Sequence, residues 1–131
     1  MTLRGVRILV VDDEADARQL VAAVLSDAGA DVKAAPSASD GFAMFKEFRP
    51  NVLVSDIGMP DEDGLSFMQR IRALPAGEGG QVPSLALTAF AHERDRARAL
   101  GVGYTAHLGK PVEPQVLATA VATLLGMPRS P

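Results

Sequence analysis

The chain has 131 residues with 47% hydrophobic side chains, enough for one domain that buries a core without covalent or metal staples. Its 16 acidic against 13 basic residues leave a net charge of −3 and a pI near 5.3 with no basic block, so a nucleic-acid backbone has no electrostatic footprint to bind. No cysteine and only two histidines are present, which excludes a disulfide framework and a thiolate zinc site and leaves a poor transition-metal set.

Residues 6–11 form a short run rich in β-branched side chains, as expected of a strand buried on both faces. The run is too short for a signal-peptide core or a membrane span, so a soluble, cytoplasmic protein is expected. Leu20, Val21, Val24, Leu25 and Ala28 then make a helical stripe closed by Gly29. A second strand is expected near 30–34. A second helix follows over 37–48, carrying Phe42 and Phe45 and stopping before Pro50. The third strand, 51–55, runs directly into Asp56, and Leu65, Met68 and Ile71 mark a helix after Gly64.

The stretch PAGEGGQ at 75–81 reads as a flexible connector, and it lacks the Lys-Ser or Lys-Thr of a phosphate-binding loop. A fourth strand is expected at 82–87. HERDRARAL at 92–100 is a helix with only Ala97, Ala99 and Leu100 as apolar anchors among six ionisable side chains, supported by pairs such as Asp95 with Arg98. Weak packing of that helix means low local stability, which suits either a moving element or a plain surface helix. The last strand, 104–108, leads to a helix that opens at Pro114, runs through Leu117, Ala120, Val121 and Leu124, and stops at Gly126. The expected organisation is a lead-in at 1–5, one domain at 6–125 and a tail at 126–131.

Five strands alternating with five helices imply a single doubly wound (βα)5 domain, a parallel sheet with helices on both faces and right-handed crossovers. Ligands in such folds bind beyond the carboxyl ends of the strands. At those ends stand Asp12 and Asp13, Asp56, Thr88 and Lys110. Each has a plain local explanation: an N-cap pair at a helix start, a turn before Gly58, a helix cap, a surface lysine before Pro111. Their joint placement at four strand ends of one sheet is what argues for a site.

Three carboxylates brought together repel one another, and the conflict is relieved by sharing a proton or by a cation. An all-oxygen set favours magnesium, with manganese as the substitute. An ion there would bridge to phosphoryl oxygens, making phosphoryl transfer onto a carboxylate the natural chemistry. Lys110 would neutralise one phosphoryl oxygen and Thr88 donate to another. The chain uses ten arginines and three lysines, yet the strand-end cation is a lysine, a compact point charge suited to one oxygen. Gly58 and Gly64 fit a loop whose backbone approaches an ion and then turns into a helix.

The segments VDDE at 11–14, SDIGMPDEDG at 55–64, LTA at 87–89 and GKP at 109–111 resemble the receiver domain of two-component response regulators, over about residues 6–125. The resemblance implies a flavodoxin-like sheet in the order 2-1-3-4-5, with Asp56 as phosphoacceptor and Asp12 and Asp13 as the magnesium-binding pair. It also implies Gly58 as a backbone-carbonyl ligand of the ion, Thr88 as the switch hydroxyl, Lys110 as the phosphate-contacting lysine and a cis Lys110–Pro111 bond. A histidine kinase or histidine phosphotransfer protein would be the donor, and a phosphorylation-dependent homodimer is within the family's range. No independent substrate turnover is expected, only the domain's own phosphorylation and dephosphorylation.

The lead-in LRGVRILVVDDE and the stretch LALTAF resemble receivers of hybrid sensor histidine kinases. His107 departs from the pattern, because the position three before the lysine is usually Tyr or Phe. It is read as a half-buried ring packed like an aromatic, with a pH-sensitive coupling as the alternative. In relatives with rapid self-dephosphorylation, the side chains two after the acceptor and two after the threonine help place water. Here they are Gly58 and Phe90, so slow hydrolysis is expected. His92 is expected to be solvated.

Three other classes compete. A haloacid dehalogenase-type phosphatase would carry a second Asp where Gly58 stands, and would need room for a cap. A flavodoxin-like cofactor binder is disfavoured by 5% aromatics and by acidic strand ends that repel flavin phosphate. A pseudo-receiver that binds partners without phosphorylation is disfavoured by the complete set Asp13, Asp56, Thr88 and Lys110.

Overall fold

The computed structural model describes residues 3–59, 62–89 and 93–126. The expectations for Phe90, His92 and the tail beyond Gly126 lie outside the described residues. In chain order the elements are β1 (Arg7–Val11), α1 (Ala15–Asp27), β2 (Asp31–Ala35), α2 (Ala38–Phe48), β3 (Val52–Asp56) and α3 (Gly64–Arg72). They continue with a 3-10 turn (Ala76–Glu78), β4 (Ser84–Thr88), α4 (Glu93–Gly101), β5 (Ala106–Gly109) and α5 (Pro114–Leu124). All pairings are parallel, in the order β2-β1-β3-β4-β5.

The continuous apolar strands become intelligible once both faces are covered. Leu9, Val11, Leu53 and Ala86 point to one side, where they pack with Phe45, Phe67, Met68, Ile71 and Tyr104. Ile8, Val10, Val52, Val54, Leu85 and Leu87 point to the other, against Val21, Leu25, Leu117 and Val121 of α1 and α5. Every β3 and β4 residue is buried, whereas of the edge strands β5 is half-buried throughout and β2 alternates exposed and half-buried residues up to the buried Ala35. Each large side chain so buried contributes about 2 kcal/mol before entropy is counted.

Local signals set the helix ends. The Ser37 hydroxyl accepts from the Asp40 N–H at 3.1 Å at the start of α2, and the Asp63 carboxylate accepts from the Ser66 N–H at 2.8 Å at the start of α3. Gly29, at φ +106°, turns the chain out of α1.

Two expectations need correction. Residues 75–81 are a built turn rather than a loose connector. A Cβ on Gly80 would fall 1.9 Å from the Leu74 carbonyl oxygen, and the Gly77 carbonyl accepts from the Arg49 guanidinium. On α4 the i,i+3 ion pair is Arg96 with Glu93, at 3.2 Å between exposed side chains, rather than Asp95 with Arg98. The weak packing itself is as expected: Ala99 is the only buried residue recorded on α4, and Ala97 is exposed.

Candidate functional site

Register brings the strand ends level: Val11 pairs with Ser55, Asp56 with Leu87, and Thr88 with Gly109. The residues just beyond β1 and β5, and the last residues of β3 and β4, therefore share one rim. The carboxylates of Asp12, Asp13 and Asp56 each offer an oxygen within 4.8 Å of the others, so this cluster could hold a metal ion. Asp12 and Asp56 are buried, while Asp13 is exposed.

Each buried carboxylate is oriented by its own neighbours. Asp12 Oδ1 accepts from the Glu14 N–H at 2.9 Å, and Oδ2 accepts from Lys110 Nζ at 2.8 Å. Asp56 Oδ1 accepts from the Gly58 N–H at 3.2 Å, and its Oδ2 lies 3.5 Å from the same ammonium. Lys110 thus spans both acids. Its backbone N–H is anchored on the Thr88 carbonyl at 2.7 Å, and Thr88 itself is buried. The Lys110–Pro111 bond is cis, as the resemblance implies.

Burial holds the Asp56 carboxyl above the usual carboxylate range. The Gly58 N–H and Lys110 oppose that shift, while Asp12 and Asp13 reinforce it. Burial also works against the Lys110 charge, but the hydrogen bond to Asp12 and the field of both carboxylates outweigh it and hold the amine above its ordinary value. Three carboxylates facing one ammonium leave two formal negative charges, the charge of a divalent cation. Hard oxygen donors and this charge deficit suit magnesium or manganese better than a softer metal.

His107 lies on β5 in the field of Glu93, Asp95 and Arg96 of α4 and is not a member of the carboxylate cluster. Its Nε2 is buried with no hydrogen-bond partner among the described residues. Burial lowers its pKa, Asp95 pulls the other way, Arg96 adds to the lowering, and Glu93 again opposes it.

Three neighbours were not foreseen. Arg18 donates to the Asp12 carbonyl at 2.9 Å, the Ser55 hydroxyl to the Asp56 carbonyl at 3.0 Å, and the Tyr104 hydroxyl to the Gly64 carbonyl at 2.8 Å. Only Arg18 had a legible signal, since position six after Asp12 falls on the first turn of the following helix. The two glycines also separate. A Cβ on Gly64 would meet the Asp56 carbonyl oxygen at 2.3 Å, whereas one on Gly58 would meet nothing closer than Asp56 Oδ1 at 3.9 Å. Gly64 is sterically required and Gly58 is not.

A family model described as the response regulator receiver domain matches residues 8–122. An uncharacterized 14.6 kDa protein of Leptolyngbya boryana is 44% identical over 92% of this chain and 90% of its own length. The transcriptional regulatory protein GltR of Pseudomonas aeruginosa is 34% identical over 95% of this chain but only 51% of its own length. The chain thus spans about half the length of relatives named as transcriptional regulators. Among solved structures, a putative response regulator from Chloroflexus aurantiacus superposes with a TM-score of 0.87 at 29% identity, covering 92% of this chain and 98% of that one. The chemotaxis protein CheY4 of Vibrio cholerae gives 0.85 at 30%, with the same coverage. No helix among the described residues is long and apolar enough to cross a membrane.

Proposed function

Because this chain belongs to the receiver-domain family of two-component response regulators, we propose that it accepts a phosphoryl group onto Asp56 from the phosphohistidine of a histidine kinase or histidine phosphotransfer protein. The domain that does so spans residues 6–125. One observation carries the reading: a single ammonium, Lys110, lies 2.8 Å from Asp12 and 3.5 Å from Asp56 across a cluster of three carboxylates.

An Asp56 carboxylate oxygen forms the new P–O bond as the donor's P–N bond breaks, and the bonding pair leaves with the imidazole nitrogen. Lys110 balances charge on one phosphoryl oxygen, and the Thr88 hydroxyl donates to a second. Asp12, Asp13, Asp56 and the Gly58 carbonyl would hold the magnesium ion. When bound, that ion supplies charge neutralisation at the phosphoryl oxygens. The raised Asp56 pKa is consistent with a site designed around a counter-charge, since cations brought close return the acid to its nucleophilic, ionised form. Thr88 and His107 are proposed to carry the conformational response.

Intact mass after incubation with magnesium and a small acyl phosphate tests the reading. Wild type should gain one phosphoryl group and Asp56→Asn none, while Lys110→Ala should form the adduct on the order of 100-fold more slowly. No adduct on a folded wild-type chain would return the phosphorylation-independent binding module. Neither Gly58 nor Phe90 can hydrogen-bond water through its side chain, so the adduct should be long-lived. Decay slower in Gly58→Asn, Phe90→Glu than in wild type would refute that expectation.

A further inference from the structure

Tyr104 is the chain's one tyrosine, and the proposed chemistry makes no use of it. It is 3% exposed and lies in the turn between α4 and β5, where it joins the core formed by α2 and α3. Its hydroxyl does not reach the carboxylate cluster. It donates instead to the carbonyl of Gly64, 40 residues away in sequence, at 2.8 Å.

Gly64 opens α3 and sits directly on the backbone of Asp56. Its N–H bonds to the Ile57 carbonyl at 3.1 Å, and any Cβ would strike the Asp56 carbonyl oxygen and Ile57 Cα, at 2.3 and 2.5 Å. The peptide that Tyr104 grips is therefore packed against the residue that carries the acceptor carboxylate. The anchoring end is itself held: Arg72 of α3 donates to the Gly103 carbonyl through Nη2 at 2.7 Å and Nε at 3.0 Å. Burial raises the phenol pKa; a hydrogen bond with the Ser55 hydroxyl opposes this and the Asp56 charge adds to it, and the net upward shift keeps the hydroxyl protonated across the working pH range.

We propose that Tyr104 is a positioning residue for the acceptor: by clamping the Gly64 peptide it fixes where the Asp56 carboxylate and the Gly58 backbone stand relative to Asp12 and Asp13. The inference rests on the reading of Asp56 as phosphoacceptor. Removing the hydroxyl leaves the Gly64 carbonyl with its intrahelical bond alone and frees the start of α3 from the tie to Tyr104, and a displacement of the loop by about 1 Å is enough to degrade both ligand placement and attack geometry.

The test compares wild type, Tyr104→Phe and Val82→Ala. The phenylalanine keeps the ring and deletes only the hydroxyl. Val82 is 7% exposed in the same core but precedes β4, at the end of the sheet away from the site, so its truncation measures loss of stability alone. Magnesium is titrated without phosphodonor, following the amide resonances of Asp56 and Gly58, and the initial rate of adduct formation is then taken at saturating magnesium. Tyr104→Phe is expected to weaken magnesium binding on the order of tenfold and to slow the saturated rate, with Val82→Ala matching wild type in both. Magnesium binding unchanged in Tyr104→Phe, shifted no more than in Val82→Ala, or lost together with the fold would make the hydroxyl a structural tie only and overturn the proposal. A wild-type chain that forms no adduct would bring down the acceptor reading itself, an outcome separate from any difference between the variants.

Discussion

Helices α3 and α4 have the same length, nine residues each, yet they are held very differently. Helix α3 buries Gly64, Phe67, Met68 and Ile71, is capped by Asp63, and starts in contact with the Asp56 backbone. Helix α4 buries Ala99, presents charged side chains over most of its surface, and packs on the half-buried edge strand β5. The difference teaches how one small domain divides its labour. The Asp56 backbone is fixed by a well-packed helix, while the face beside Thr88 and His107 is left with little apolar area to hold it, so it is cheap to displace.

The sharpest way to break this contrast is at the rigid end. Gly64→Ala should cost about 3 kcal/mol, because the new methyl meets backbone rather than a yielding side chain, and it should disturb the placement of Asp56, the proposed acceptor, at the same time. Urea denaturation checks the first effect and adduct formation the second. A mild substitution at the loosely packed end should do less globally and more locally. Ala99→Gly should cost about 1 kcal/mol, and amide exchange should rise throughout α4 while α3 stays protected. Equal loss of protection in both helices would mean that they unfold as one unit.

The smallest effect concerns His107. Its folded-state pKa lies below the ordinary imidazole value, so its neutral form is the one that suits the fold. Stability on its account is complete above the unfolded pKa and is lost as pH falls through that value toward the lower, folded one. His107→Phe should remove this loss and the ring nitrogen that has no partner among the described residues, stabilising the chain by about 1 kcal/mol, more at pH 5 than at pH 8. Thermal melts at the two values test the sign. A phosphorylation response whose pH dependence is the same in His107→Phe would also rule out the coupling role for this imidazole.

Much of this is legible in the sequence. Five short apolar runs, four of them ending in an acid, a hydroxyl or an amine, imply a parallel sheet whose rim gathers Asp12, Asp13, Asp56, Thr88 and Lys110, because strand ends in such a sheet share one edge. The stripes of α1 and α5 and the poverty of α4 follow from helical periodicity in the same way. Errors fell where local pattern carries no information about neighbours. Residues 75–81 read as loose because glycines lower local order, but Gly80 is there so that the backbone can pass the Leu74 carbonyl. Gly58 and Gly64 looked alike in sequence, and only packing distinguishes the one that has no room for a side chain.

By itself, then, the sequence determined the element order, the two-faced burial of the strands and the chemistry available at their ends, because periodicity and residue type are local properties of the chain. Tertiary structure decided which of those groups touch. The Lys110 to Asp12 bond joins residues 98 apart and the Tyr104 to Gly64 bond residues 40 apart. Contacts of that range are set by sheet register and by the way helices pack over it, and no local periodicity encodes them.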